Sequence, residues 1–359
     1  MRVAIVHDAL CVRGGAERVA LWMAKAFPKA PIFTSVYLPE QTFPEYRAMD
    51  VRVLPFAGLI RTEVQFKLLH PLWLFELRRL SFAGYDAVLS SSTYLAKYVH
   101  PRATVMHAAY IYAPFRLLWK PEAYSPGSLP ARGILEDAVR LIVPLLRRWD
   151  LARTRAIPRI ATTCRNMAGE IQQTYGRQAN VIYPPVEMRE IPRQEERDNY
   201  FLCVGRLASH KRFDLAVEAC SRLKKRLIVA GDGPEMGRLQ RLAGPTIEFV
   251  GRVSDEELHG LYLKTRALIF PSYEDYGLVP LEAQARGAPV LAFGRGGVLE
   301  TVKEGESGIF FESQDADSLV NCITKFEELT FSAPRILEWV SNFEPQVFIR
   351  GLQDFVQSP

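Results

Sequence analysis

Cysteine is scarce in this chain and is not arranged for chemistry. The five residues, Cys11, Cys164, Cys203, Cys220 and Cys322, are odd in number, scattered and without a C-x-x-C pair. That spacing argues against a disulfide framework or a zinc cluster and for a reducing compartment. Buried structural thiols are the expectation, since cysteine is among the most often buried residue types. Long apolar runs are missing too, and no window approaches the length of a membrane-spanning helix. The apolar-rich start, Met1-Arg-Val-Ala-Ile-Val6, stops at His7-Asp8. It is too short for a signal peptide and reads as a buried strand. There is no low-complexity segment and no short repeat. Together these absences predict a cytoplasmic globular protein.

What is present is apolar material for two cores. A chain of 359 residues is long for one doubly wound domain, and 48% hydrophobic with 24% charged residues is ordinary for a globular protein. The charge is uneven. Residues 1–185 hold 24 Lys+Arg against 13 Asp+Glu, and the remainder holds 21 against 27. A basic half suggests an anionic partner such as a membrane surface, a nucleic acid or a phosphorylated substrate; the plainer account is a solvated basic face. No recognised nucleic-acid motif accompanies the charge, so nucleic acid is not expected.

Short strand-like runs alternate with helix-period segments along the chain, which predicts parallel sheets. In the first half, strands are expected at 2–6, 31–37, 51–54, 85–92, 159–163 and 180–183, and helices at 17–27, 94–99 and 165–175. Pro184-Pro185 and the polar run 189–199 read as an interdomain linker. In the second half, strands at 200–204, 226–230, 247–250, 267–270, 289–293 and 308–311 alternate with helices at 214–223, 236–242, 255–264, 280–286 and 315–329. The tail 339–356 is expected to be helical with a break near Pro345.

Two segments interrupt this alternation. Residues 56–82 combine Leu68, Leu69, Leu72, Trp73, Leu74, Phe75 and Leu77 with Lys67, Arg78 and Arg79. Residues 131–157 set Val139, Ile142, Val143, Leu146 and Trp149 among Arg140, Arg147, Arg148, Arg153 and Arg155. Each is either a core stripe with basic residues facing water or a membrane-surface element suited to anionic headgroups. Pro71 and Pro144 are expected to interrupt them, leaving neither a single long helix.

The most informative stretch is 270–293. It holds two carboxylates, Glu274 and Glu282, eight positions apart, with Gly277 and Pro280 between them. Glu274 is expected in a strand-to-helix loop and Glu282 in the first turn of the helix. Both would then lie at the carboxyl ends of the strands, where open α/β sheets bind ligands. Backbone N–H groups of Gly277, Leu278 and Val279 would make an anion site there. A surface acid at a helix start, held by the helix dipole, is the plainer account of Glu282. Near the start, strand 2–6 leads through Gly14-Gly15 into a helix. That order lets a backbone approach an acceptor or phosphate closely, although glycine pairs also serve plain turns.

Taken in order, the chain carries Gly14-Gly-Ala-Glu17, Tyr183-Pro-Pro-Val186, Val204-Gly-Arg-Leu207 with Lys211-Arg212, and Gly231-Asp-Gly-Pro234. Phe249-Val-Gly-Arg252, the Glu274 and Glu282 pair, and Gly294-Arg-Gly-Gly-Val-Leu-Glu300 follow. This succession resembles the retaining glycosyltransferases of family 4 over nearly the whole chain. The resemblance implies the α/β GT-B architecture, two Rossmann-like parallel-sheet domains facing a central cleft. An N-terminal acceptor-binding domain is then expected over 1–186 and a C-terminal nucleotide-sugar-binding domain over 187–339. A terminal helix at about 340–359 would pack back on the first.

The resemblance also implies roles. Arg206 and Lys211 would grip the diphosphate leaving group, arginine bidentately and lysine as a point charge. Glu274 would contact the transferred sugar on its reacting side, completing a catalytic set of Glu274, Arg206 and Lys211. Donor-binding positions would be Gly15, Gly205, Gly251, Arg252, Val253, Tyr276, Gly277, Leu278, Val279 and Glu282. Of these, Glu282 would hydrogen-bond the ribose hydroxyls, and the backbone at 251–253 would frame the base. Two fixed cations and helix N–H groups can stand in for a divalent ion, so no metal and no other cofactor is expected.

The acceptor half departs from the family pattern. Many relatives carry a run like His-Thr-Pro-Met-Arg-Tyr-x-Trp, matched here by Tyr112-Ala-Pro-Phe-Arg-Leu-Leu-Trp119. Tyr112 stands at the histidine position and Arg116 matches; with Gly14 they are the acceptor-side candidates. His107 is expected to be a satisfied core histidine. Residues 274–282 and 293–302 look most like the mannosyltransferase branch that uses GDP-mannose. The expected activity is transfer of mannose from GDP-mannose to a saccharide or lipid-linked acceptor in cell-surface glycan synthesis. It would take place at the inner face of a membrane if the basic half docks there. A UDP-sugar donor and a non-catalytic nucleotide-sugar-binding homologue are the alternatives.

Overall fold

The computed structural model describes residues 1–55, 70–119, 134–189 and 197–358. The chain divides into two compact units, Met1–Pro184 with Gln346–Pro359, and Pro185–Pro345. The N-terminal unit holds β1 (Val3–His7), β2 (Ile32–Thr34), β3 (Val51–Val53), β4 (Ala87–Ser92), β5 (Met106–Ile111), β6 (Arg159–Thr162) and β7 (Asn180–Val181). They form one parallel sheet in the order β3-β2-β1-β4-β5-β6-β7. β1 and β4 are buried at every position, as expected of strands covered on both faces.

Val19, Leu21, Met23 and Ala26 of the helix Gly15–Ala26 pack with Ile5, Ile32 and Leu89. Trp73 and Leu77 of the helix His70–Arg79 join Val6 and Val88 in a second cluster. The described part of the first basic segment is therefore core-facing; Lys67, Leu68 and Leu69 lie outside the described residues. Pro71 is the second residue of that helix as described, and the residues before His70, which would show whether it interrupts the segment, lie outside the described residues.

The second basic segment departs from expectation. A single helix, Ile134–Arg155, runs straight through Pro144. A proline inside a helix removes one backbone bond at about 3 kcal/mol. Pro144 is exposed, so water can reach the carbonyl left over, and the following turns are anchored by the buried Asp150. The expected helix at 94–99 is only a 3-10 turn, Ala96–Tyr98. The C-terminal helix, Pro345–Gln357, places Phe348, Leu352, Phe355 and Val356 in the same cluster as Ile5 and Tyr110. Arg159 donates to the Phe355 carbonyl at 2.9 Å and Gln353 to the Ala26 carbonyl at 2.8 Å. The helix Ala333–Val340 and Phe343 fall in the other unit, so the returning segment starts at Gln346 and not near 340.

The C-terminal unit holds β8 (Phe201–Val204), β9 (Leu227–Ala230), β10 (Ile247–Gly251), β11 (Ala267–Phe270), β12 (Val290–Phe293) and β13 (Gly308–Phe311). Its parallel sheet runs β10-β9-β8-β11-β12-β13, so strand order reverses between β8 and β11. The helices Phe213–Arg222 and Ala316–Glu327 cover one face through Phe213, Cys220, Leu319 and Phe326. Tyr262, Ala283 and Val298 cover the other. All five cysteines are buried and free. Among the described residues no helix is long and apolar enough to cross a membrane.

Candidate active site

In a doubly wound sheet the crevice for a ligand opens where strand order reverses, at the carboxyl ends. In the C-terminal unit that point lies between β8 and β11. Gly205, Arg206 and the turn Ser209–Lys211 follow β8; residues 271–277 and the helix Leu278–Gln284 follow β11. The two loops meet. Lys211 Nζ lies 2.5 Å from Glu274 Oε1, although the residues are 63 positions apart. Both side chains keep about a fifth of their surface exposed, at 21% and 23%. Ser272 Oγ donates to the same carboxylate oxygen at 2.8 Å. Arg206 is exposed, and its guanidinium has no hydrogen-bond partner among the described residues.

Glycines set how closely these loops lie. A Cβ on Gly231 would sit 1.9 Å from the Gly205 carbonyl, and one on Gly233 would sit 2.4 Å from that of Leu207. Gly231-Asp-Gly-Pro234 is thus the wall that backs the Arg206 loop, which is tied to it by Leu207 N donating to Asp232 O at 3.0 Å. The Glu274 loop is backed likewise. Gly297 N donates to Glu274 O at 3.0 Å, and a Cβ on Gly296 would sit 2.4 Å from that carbonyl.

Glu282 is not in the first helical turn. The helix starts at Leu278, two residues before Pro280, so Glu282 is its fifth residue. A proline is tolerated throughout the first turn, where N–H groups lack helical acceptors, so it does not mark the first residue. Glu282 Oε2 accepts from the hydroxyl of Tyr262, 3.0 Å away on the helix Asp255–Lys264. Leu278 and Val279 are the first two residues of their helix, Gly277 is its N-cap, and Tyr276 just before it is buried. Gly251, Arg252 and Val253 lie at the carboxyl end of β10, where the Arg252 side chain is 86% exposed and 3.8 Å from Asp232.

Gly14, Gly15, Tyr112 and Arg116 belong to the N-terminal unit. Gly14 caps the helix Gly15–Ala26. The Tyr112 hydroxyl donates to the Ala16 carbonyl at 3.1 Å and lies 2.9 Å from Ser91 Oγ, which lies 2.9 Å from His7 Nδ1. A hydroxyl has one proton, so Tyr112 accepts from Ser91 and Ser91 accepts from the His7 N–H. Burial pushes the Tyr112 phenol well above its ordinary range and pulls His7 down. Tyr112 thus fastens the start of the glycine-led helix. His107 is a buried core histidine bonded to Ser90 at 2.9 Å, and burial pulls its pKa down to about 4.

Arg116 is exposed at the head of the short helix Arg116–Trp119. Trp119 Nε1 donates to Asp150 at 2.6 Å, and Phe115 N donates to the Tyr175 hydroxyl at 3.3 Å. Asp150 is itself paired with the buried Lys97 at 2.8 Å.

Three side chains near the two glutamates were missed in the sequence. Ser272 had a signal, since serine two residues before an acid forms a local bond of this kind. Tyr262 had a weaker one: a buried tyrosine hydroxyl needs a partner. Arg197 donates to the carbonyls of Tyr262, Leu263, Thr265 and Arg286, closing the end of the helix that carries Tyr262. The one Asp-x-Asp run, Asp315-Ala-Asp317, is a helix start. Asp315 caps Ser318 N at 2.8 Å and Asp317 pairs with Arg222 at 2.7 Å.

Comparison with known proteins bears on this geometry. Residues 186–337 match the family model for glycosyl transferases group 1. Anabaena HepE, in a structure with UDP-glucose, superposes with a TM-score of 0.71 at 17% identity, covering 99% of both chains. The fold is GT-B. Its C-terminal domain is the one that carries the group 1 match. The O-antigen chain mannosyltransferase RfbU of Salmonella typhimurium is 24% identical over 208 residues, 55% of this chain and 58% of its own. A GDP-mannose-dependent alpha-(1-6)-phosphatidylinositol monomannoside mannosyltransferase of Mycobacterium tuberculosis is 28% identical over 157 residues, 39% of this chain and 40% of its own. The chain spans between 25% and 58% of the length of the first curated relatives it matches.

Proposed function

We propose that this protein is a glycosyltransferase that takes its sugar from a nucleoside diphosphate donor. The observation that carries the reading is Lys211 set against Glu274 where strand order reverses, with Arg206 exposed on the adjoining loop. When the bond from the anomeric carbon to the phosphate oxygen breaks, negative charge gathers on the departing diphosphate. Cations already fixed in place stabilise that charge without reorganising. In this reading Arg206 and Lys211 take the diphosphate, Glu274 faces the sugar and Glu282 takes the ribose hydroxyls.

The finer reading is a retaining family 4 hexosyltransferase that moves mannose from GDP-mannose without a metal ion. The motif succession and the two mannosyltransferase relatives support it. The acceptor is a saccharide or a lipid-linked glycan in cell-surface glycan synthesis. An anionic membrane surface belongs among the partners: the helix Ile134–Arg155 exposes Ile142, Leu145 and Leu146 beside the exposed Arg148. Salt-sensitive cosedimentation with anionic liposomes tests that part, and its absence leaves the basic face merely solvated.

Thermal protection by a nucleotide panel tests the donor. GDP is expected to raise the melting temperature more than UDP or ADP. Stronger protection by UDP would shift the donor to a UDP-sugar, a reading that the HepE complex with UDP-glucose favours. Equal, slow release of nucleoside diphosphate by wild type and Glu274→Ala across candidate acceptors would instead make the chain a non-catalytic nucleotide-sugar binder.

A further inference from the structure

Each of the two glutamates accepts from a buried hydroxyl, and the two hydroxyls come from different elements. Ser272, fully buried in the loop after β11, donates to Glu274 Oε1 at 2.8 Å. Tyr262, 2% exposed on the helix Asp255–Lys264, donates to Glu282 Oε2 at 3.0 Å. A glutamate side chain turns about three torsions, so an unbraced carboxylate samples many orientations. A hydrogen bond from a fixed, buried hydroxyl pins one oxygen and thereby aims the other.

At Glu274 the division of labour is visible. Oε1 receives both Ser272 and Lys211, and Oε2 has no partner among the described residues. The lysine is a contested partner, however. A donor diphosphate would draw its ammonium away, and the carboxylate would then be free to follow it. Ser272 carries no charge, is buried, gives its single proton to Oε1 and stays there. Tyr262 lies outside this competition and donates to Glu282.

We propose that Ser272 and Tyr262 are positioning residues for the two halves of the donor. Ser272 aims Glu274 at the transferred sugar, and Tyr262 aims Glu282 at the ribose. The inference rests on the donor-site reading above and adds to it which hydroxyl governs which half of the ligand.

Calorimetric titration of the full chain with GDP, GDP-mannose and 2′,3′-dideoxy-GDP separates the two roles. Ser272→Ala should bind GDP within about twofold of wild type and lose about tenfold in affinity for GDP-mannose, the scale of one hydrogen bond to a charged group. Ser272→Thr, which keeps the hydroxyl, should recover most of that loss. Tyr262→Phe should weaken GDP and GDP-mannose by the same factor of about five to ten and shrink the preference for GDP over its dideoxy analogue. Equal losses on GDP and GDP-mannose in Ser272→Ala, or an intact ribose preference in Tyr262→Phe, would overturn the inference while leaving the donor site standing. A wild type that binds no nucleoside diphosphate would overturn the donor-site reading and this inference with it.

Discussion

In the N-terminal sheet, Asp8 at the end of β1 spreads one carboxylate across four backbone N–H groups. Thr93 and Tyr94 donate to Oδ2 at 2.6 and 2.7 Å, and Leu95 and Ala96 donate to Oδ1 at 2.7 and 2.6 Å. The C-terminal sheet has the same reversal of strand order, yet its corresponding loops carry the Lys211–Glu274 pair and the exposed Arg206. Backbone N–H groups opening a helical turn are where such folds hold phosphate. One crevice is filled by the protein's own anion; the other presents cations. Shared topology supplies the geometry of an anion site, and a single side chain decides whether that site serves stability or a ligand.

Removing the internal anion is the strongest way to break this contrast. In Asp8→Ala, four N–H groups lose their acceptor, and an unpaired buried donor costs about 1–3 kcal/mol. Two of the four, Leu95 and Ala96, are buried, so the expected loss is at least about 2 kcal/mol of unfolding free energy in urea, with Asp8→Asn recovering part of it. Added phosphate should stabilise Asp8→Ala more than wild type, because it can occupy the vacated cradle. A loss under about 1 kcal/mol would mean that the carboxylate is not structural after all.

The converse change sharpens the other side. Lys211→Ala should lower donor turnover by about 10²–10³-fold, the scale of losing one fixed stabiliser of developing charge. Its unfolding free energy should move by no more than about 1 kcal/mol, since the pair is partly solvated. A variant that lost stability and kept its activity would make this pair structural, like Asp8.

The contrast also shows what a sequence reader can and cannot see. Strand and helix periods alternate cleanly enough to read two parallel sheets, and the spacing of Gly205, Lys211, Glu274 and Gly277 locates loops at strand ends. Contacts between distant residues leave no period. Asp8 reaches residues 85 to 88 positions away, and Lys97 meets Asp150 across 53. In the sequence neither arrangement is more than ordinary residues far apart. Local rules misled at the prolines: Pro144 runs inside a helix and Pro280 sits two residues past a helix start. At Pro144 the anchoring of the following turns outweighs the lost bond, whereas Pro280 lies in a first turn, where a proline loses none. The glycines of residues 231–233 and 294–297 were legible as a motif, but their reason, backbone pressed against the loops of Arg206 and Glu274, needs three dimensions.

Acid offers the mildest test, because it acts unequally on the two units. His107 and His7 are buried in the N-terminal unit, whereas His210 is exposed and His259 half-buried in the other. Burial lowers His107 from 6.5 to about 4 and shifts His7 the same way. Between those two values the unfolded chain binds the proton that the folded chain refuses. Stability from this group is thus unaffected above pH 6.5 and falls as pH drops toward 4. From pH 7 to pH 5 the His107 share is about 2 kcal/mol. His107→Gln keeps a polar partner for Ser90 and cannot titrate, so its unfolding free energy should fall by about 2 kcal/mol less than that of wild type over the same range. His259 is lowered too, by partial burial and the Arg286 charge, and should shift both proteins equally. Equal acid losses in wild type and His107→Gln would clear His107 and move the search to His7, whose hydrogen bond to Ser91 ties it to Tyr112.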